Sequence, residues 1–234
     1  MSNVDIIYAI LIIKEDFRMN IRPFVVEFTG TPEAGKTTTI KQIIPLLEAS
    51  SSVKQNGVYY MKRAEVRYVR EAAEVTPSCI PKGSFDANFW MRAHTVAELF
   101  EQLYNTSHND IIIADRGIID AQFFGYKFYA QGLCSKEEHE SFISLIKNKT
   151  LLPDLLIYLK TSPEESIRRR GGEGRIVTLD WVKNYNDLFE EFIVSGAISV
   201  PLYSIDTTGV PQHFVVQAVT NKIMSDYVFF INQR

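Results

Sequence analysis

The stretch Gly30 to Thr37 reads GTPEAGKT, two glycines followed directly by lysine and threonine at the spacing G-x-x-x-x-G-K-T. Glycine permits backbone angles and close approaches that a side chain forbids, so successive amide N–H groups can converge on phosphate oxygens. The residues expected to cradle a polyphosphate are Gly30, Glu33, Ala34, Gly35, Lys36, Thr37 and Thr38. In such a loop the lysine reaches the outer phosphates, the threonine hydroxyl suits Mg²⁺, and the positive end of the following helix adds attraction. A glycine turn capped by threonine is the plainer alternative. It does not explain why the motif falls between a strand-like run and a helix.

A second chemical pair, Asp115-Arg116, follows the apolar run DIIIAD. At the carboxyl edge of a parallel sheet Asp115 can orient magnesium-bound water and Arg116 can neutralise phosphate charge, although a strand-ending salt bridge has the same letters. Further along, Arg168, Arg169, Arg170 and Arg175 flank the glycine-rich stretch GGEG. A segment of that kind can close over a transferring phosphoryl group, and Arg168 and Arg175 are the preferred catalytic members. A solvated basic helix end is the alternative for any one of them. The four histidines show no ligand spacing.

These groups need elements to hold them. Phe24 to Phe28, Val66 to Val69, Asp110 to Asp115, Leu155 to Leu159 and Pro201 to Asp206 are predicted strands. Lys36 to Leu47 is a predicted helix. The spacing of Phe89, Ala93, Val96, Phe100 and Leu103 predicts a second with those residues buried, and Val182, Tyr185, Phe189 and Phe192 a third. Ser135 with Glu138, and Ser162 with Pro163 and Glu165, have the lettering of capping boxes. Alternating strands and helices predict an α/β three-layer sandwich around a parallel sheet.

With 46% hydrophobic residues, 23% charged residues and a formal net charge of -3 over 234 residues, the chain has a globular make-up and no global electrostatic reason to bind a nucleic-acid polymer or an anionic membrane. Cys79 and Cys134 form no CxxC pair and suit a reducing compartment, so a cytoplasmic location is expected. Ile6 to Ile13 is apolar but too short to span a bilayer, so residues 1–20 are expected to be an added strand or arm. Residues 21–234 are expected to form one domain, with a closable lid near 168–177.

In its ordered motifs the chain resembles the thymidylate kinase and deoxynucleoside kinase superfamily of P-loop phosphotransferases. The pieces are GTPEAGKT, VRE at Arg70-Glu71, FWMRAH around Arg92, DRG at Asp115 to Gly117, PDLLIYLKTSPEESIRRR and YSID. The resemblance implies a five-stranded parallel core, ATP with Mg²⁺ held by Thr37 and Asp115, and an arginine-bearing lid. It implies a small nucleotide or nucleoside acceptor and leaves a homodimer open. As in thymidylate kinases, Arg70 and Arg92 would hold a nucleoside monophosphate; as in deoxynucleoside kinases, Glu71 would be the base toward a sugar 5′-hydroxyl. Phe89 and Trp90 could stack on the acceptor's base, or belong to the core. Against the thymidylate branch, VREAAE lacks the usual proline and glycines, and Pro32 stands where many of those kinases carry aspartate. A non-catalytic nucleotide-binding regulatory protein is the reading from another class.

Overall fold

The computed structural model describes residues 22–49, 52–55, 58–61, 65–81, 83–106, 110–146, 149–174 and 177–233. The expected amino-terminal arm and Arg175 lie outside the described residues.

β1 (Phe24–Gly30) is buried along its whole length because helices cover both faces of the sheet, so its alternate residues serve two different cores. Phe24, Val26 and Phe28 face α1 (Lys36–Ala49) and α8 (Gln212–Asn232), packing with Ile40, Ile43 and Val219. Val25 points the other way, into a cluster with Val96, Leu99, Ile112 and Ile118. Around β1 the strands β4 (Val66–Val69), β5 (Ile111–Asp115), β6 (Leu155–Lys160) and β7 (Leu202–Asp206) complete a five-stranded sheet in the order β4-β5-β1-β6-β7. Every pairing in it is parallel. A separate antiparallel pair, β2 (Ser52–Gln55) and β3 (Val58–Met61), was not foreseen from the sequence.

Because β1 has β5 on one side and β6 on the other, the chain's path reverses there, and the carboxyl ends of these strands open a crevice. The helices around it are α2 (Ala72–Val75), α3 (Phe85–Asn105), α4 (Ile118–Ala130), α5 (Lys136–Ile146), α6 (Pro163–Arg170) and α7 (Leu179–Val194). On α7 the expected residues Val182, Tyr185, Phe189 and Phe192 are all buried. On α3 the expected stripe holds in its carboxyl half, where Val96 is buried and Phe100 and Leu103 pack against the same cluster, and is corrected in its first half: Phe89 is 52% exposed and Ala93 is exposed, while Asn88, Arg92 and Thr95 face inward. The amino-terminal half of α3 borders a cavity whose wall includes Glu71, Arg116 and Asp120, so its inward face carries Asn88 and Arg92, and apolar periodicity there points to the wrong side.

Ser135 and Glu138 form the reciprocal cap their letters suggest, each backbone N–H bonded to the other's side chain. The second box is only half made. Ser162 accepts from the Glu165 N–H, but the Glu165 carboxylate turns to Arg168 and Arg169.

Glu27 is the one acidic residue inside β1, and its carboxylate accepts the amide hydrogens of Ile119 and Asp120 at the amino terminus of α4. Burial outweighs those bonds and pushes its pKa from 4.5 up to about 7. The unfolded chain releases this proton near the ordinary value, so the group's stabilisation is full below it and disappears as pH rises through the folded value. Wild type is expected to lose on the order of 3 kcal/mol across that window relative to Glu27→Gln in urea unfolding. Parallel pH profiles for the two proteins would refute it.

Candidate active site

At the end of β1 the backbone turns sharply. Gly30 has φ +133°, and a Cβ there would lie 1.9 Å from the Leu159 carbonyl oxygen, so no other residue fits. The loop then runs into α1, whose first residue, Lys36, is buried and donates to the carbonyls of Gly30 and Thr31 at 3.1 and 2.9 Å. The ammonium thus folds back on the loop. Burial, aided by the nearby Arg116 charge, lowers its pKa to about 8.

Thr37, in the first turn of α1, donates to Asp115 Oδ2 at 2.5 Å, joining the loop to the end of β5. Tyr68 from β4 donates to the same oxygen at 3.3 Å. The other carboxylate oxygen, Asp115 Oδ1, is buried without a hydrogen-bond partner, and desolvation raises the pKa of this group. A hydroxyl and a carboxylate with one unsatisfied buried oxygen form a hard-oxygen donor set that fits Mg²⁺.

Arg116 has φ +64°, a strained value for a side chain of its size, and four partners hold it there. It pairs with Glu71 at 3.0 Å and Asp120 at 2.7 Å, and donates to the Tyr185 hydroxyl at 3.4 Å and the Gly30 carbonyl at 3.3 Å. Thr29 secures Asp120 with a 2.6 Å bond. Burial works against the Arg116 charge, but the Asp120 and Glu71 carboxylates outweigh it and keep the guanidinium protonated well above its ordinary range.

Beyond Arg116 lies a cavity of about 140 Å³ whose wall includes Glu71, Asn88, Arg92, Asp120 and Phe124. Glu71 and Arg92 therefore share a chamber with Arg116. Arg70 and Phe89 are exposed, Trp90 is half-buried, and none of the three lines that wall; the Trp90 ring stacks on His94 at 4.9 Å. The aromatic side chain on the wall is Phe124, from α4.

On the opposite side of the loop, a hollow of about 480 Å³ is bordered by Glu33, Gly35, Thr38, Arg168 and Arg169. Arg168 is 72% exposed in its side chain and forms a bidentate pair with Glu165. Its neighbour is more firmly built in: Arg169 donates to the Glu33 carbonyl at 3.2 Å and to the Thr207 carbonyl at 2.5 Å. These arginines hold Glu165 down at about 2. Sequence reasoning preferred Arg168 over Arg169 because spacing alone could not tell which side of a short helix meets the loop.

Asp120, Asn88, Phe124 and Tyr68 were also missed. For Asp120 a signal existed, since it stands four residues after Arg116, in the first turn of α4, where an acidic side chain can reach back to the arginine that precedes the helix.

No protein-family model matches the chain. Over 153 residues it is 29% identical to a thymidylate kinase of Caldanaerobacter subterraneus subsp. tengcongensis, covering 63% of this chain and 69% of that protein. A thymidylate kinase of a Thermoanaerobacter species is 28% identical over 151 residues, or 62% of this chain and 70% of the other. Among solved structures, deoxyadenosine kinase from M. mycoides superposes with a TM-score of 0.63 at 21% identity, covering 86% of this chain and all of that one. The same kinase with bound dATP gives 0.61 at 20% identity, with coverages of 86% and 98%. The structural likeness concerns the fold.

Proposed function

We propose that this chain, a thymidylate kinase and deoxynucleoside kinase-like P-loop phosphotransferase, moves the γ-phosphoryl group of ATP onto a nucleoside monophosphate. The observation that carries the reading is the position of Arg116, which touches the phosphate-loop carbonyl of Gly30 on one side and forms the wall of the small cavity on the other. One guanidinium thereby borders both the donor loop and the acceptor chamber, as in-line transfer between two bound substrates requires.

In this mechanism the amide hydrogens from Glu33 to Thr38 grip the polyphosphate. Lys36 leaves its two carbonyl partners for the outer phosphate oxygens, an exchange favoured because the buried ammonium gains an anion. Thr37 and Asp115 would hold Mg²⁺, which would supply neutralisation of the phosphate charge. Arg116 stabilises the transferring group, and Arg168 and Arg175 are assigned to the same charge from the sequence. Arg70, next to Glu71 in the chain, turns toward the acceptor phosphate. Both described cysteines are free thiols, which fits a reducing compartment such as the cytoplasm. Among the described residues no helix is long and apolar enough to cross a membrane.

A second reading has its own support. Glu71 stands on the cavity wall beside Arg116 while Arg70 lies outside, and a positioned carboxylate is what a sugar 5′-hydroxyl acceptor needs as a base. Assaying ATP-Mg²⁺ against nucleosides and their monophosphates, with wild type and Glu71→Gln, separates the two. Monophosphate turnover is expected, with Glu71→Gln changing kcat/KM by less than about tenfold. Nucleoside turnover that falls roughly 10²- to 10⁴-fold in the variant establishes the second reading instead. If no acceptor turns over, both fail.

A further inference from the structure

The helix that follows Arg116 has no cap of its own. Gly117 precedes α4 and carries no side chain to accept the free N–H groups of its first turn, so their partner comes from β1 instead. Glu27 Oε2 accepts from the Ile119 N–H at 3.0 Å and Oε1 from the Asp120 N–H at 2.7 Å. The seat is tight: a Cβ at position 117 would lie 2.6 Å from Glu27 Oε2 and push the carboxylate aside.

Glu27 and Thr29 stand two apart on β1 and project from the same face of the sheet. Both hold Asp120. Glu27 takes its N–H, while Thr29 donates to its Oδ1 at 2.6 Å, and that same Oδ1 receives Arg116 Nη1 at 2.7 Å. Two linked contacts therefore lead from the middle of β1, through Asp120, to the guanidinium beside the phosphate loop. Glu27 itself is 1% exposed and lines neither the chamber nor the hollow across the loop. The charged group that acts on it from α4 is the Asp120 carboxylate; on β5 and β6 its register partners are Ala114 and Leu156, and past Asp120 stand Arg116 and the Tyr185 hydroxyl of α7.

A buried acid is a poor choice for a strand interior, where apolar neighbours such as Val25 and Val26 suit the sheet better. What the carboxylate offers is one acceptor for each of two N–H groups. A carboxamide has a single oxygen and turns its own N–H groups toward the second donor, and a protonated carboxyl has one oxygen weakened by its hydrogen.

We infer that Glu27 is a positioning residue for Arg116: its ionised carboxylate fixes the first turn of α4 and, through Asp120, the guanidinium that borders both the phosphate loop and the acceptor chamber. This assignment rests on the kinase reading above for what Arg116 acts on. Because burial brings Glu27 to titrate at about 7, the ionised form grows from minor to major between pH 6 and pH 8, and Arg116 is held best at the upper end.

The test measures phosphate transfer across that range in wild type, Glu27→Gln and Glu27→Leu, beside nitrogen–proton NMR correlation spectra of the Arg116 side chain. The ratio of wild-type to variant kcat is expected to rise about tenfold from pH 6 to pH 8, as a single group of this kind dictates. Dividing by the variant cancels the titration of Lys36 and of the acceptor. At pH 8 the variants are expected to turn over roughly 10- to 100-fold more slowly, with KM for ATP within about twofold of wild type. Urea unfolding at pH 8 is expected to show all three folded, so that the loss reports alignment. The Arg116 signals are expected to show a step with its midpoint near 7 in wild type that both variants lack. A kcat ratio that stays flat, or variants within about threefold of wild type at pH 8, overturn the inference, as does an Arg116 signal without the step. If no acceptor turns over but the Arg116 step is present and depends on Glu27, the positioning stands and the kinase reading alone fails.

Discussion

Lys36→Met is expected to lower kcat/KM for phosphate transfer by roughly 10³-fold, while the melting temperature stays level or rises. Methionine keeps much of the buried chain's length and discards the charge. In the free protein the ammonium satisfies two loop carbonyls, at 3.1 and 2.9 Å, and burial draws its pKa down to about 8, so its charge is an expense to the fold rather than a support. The gain from that charge comes only when phosphate oxygens replace the carbonyls and negative charge gathers on the transferring group. Steady-state kinetics with saturating and limiting ATP, alongside thermal melting, check this. A variant within tenfold of wild type would remove Lys36 from the machinery.

That division between folding and chemistry also explains what could be read in advance. The run VRYV spans the strand seen at Val66–Val69, and the α7 residues Val182, Tyr185, Phe189 and Phe192 lie in the core, because each pattern reports a face that packs mainly on apolar neighbours. The GTPEAGKT turn was legible for another reason. Its glycine at position 30 answers a backbone constraint, and its spacing to Gly35, Lys36 and Thr37 marks the loop in the sequence.

Periodicity failed where an element faces both core and chamber. On α3 the inward face begins with Asn88 and Arg92 and ends with Val96 and Leu99, so apolar spacing picked out Phe89 and Ala93 on the outer side. The Ser162 cap shows a related limit. Its letters fit a reciprocal box, but Glu165 had two arginines within reach, and their charge-assisted bonds displaced the weaker backbone contact. Contacts joining distant segments, such as Thr31 to Asn186 at 2.7 Å or Arg169 to Thr207, leave no trace in local spacing.

Arg116 carries the second large effect, and here folding and chemistry cannot be separated by a single deletion. Removing the guanidinium leaves the carboxylates of Glu71 and Asp120 facing each other across the space it filled. Arg116→Met is therefore expected to destabilise the fold by about 3–5 kcal/mol and to lower kcat/KM by 10³-fold or more. Arg116→Lys distinguishes the contributions. An ammonium retains the positive charge between the two acids, so most of the stability should return. It cannot also keep the planar fork that reaches Asp120, Tyr185 and the Gly30 carbonyl together, so most of the lost activity should stay lost. Combining Arg116→Met with Asp120→Asn relieves the repulsion from the other direction and should raise stability without restoring transfer. Urea unfolding and kinetics on the same preparations decide it. If Arg116→Lys keeps activity within about fivefold of wild type, the fork is dispensable and Arg116 acts as a structural counter-charge alone.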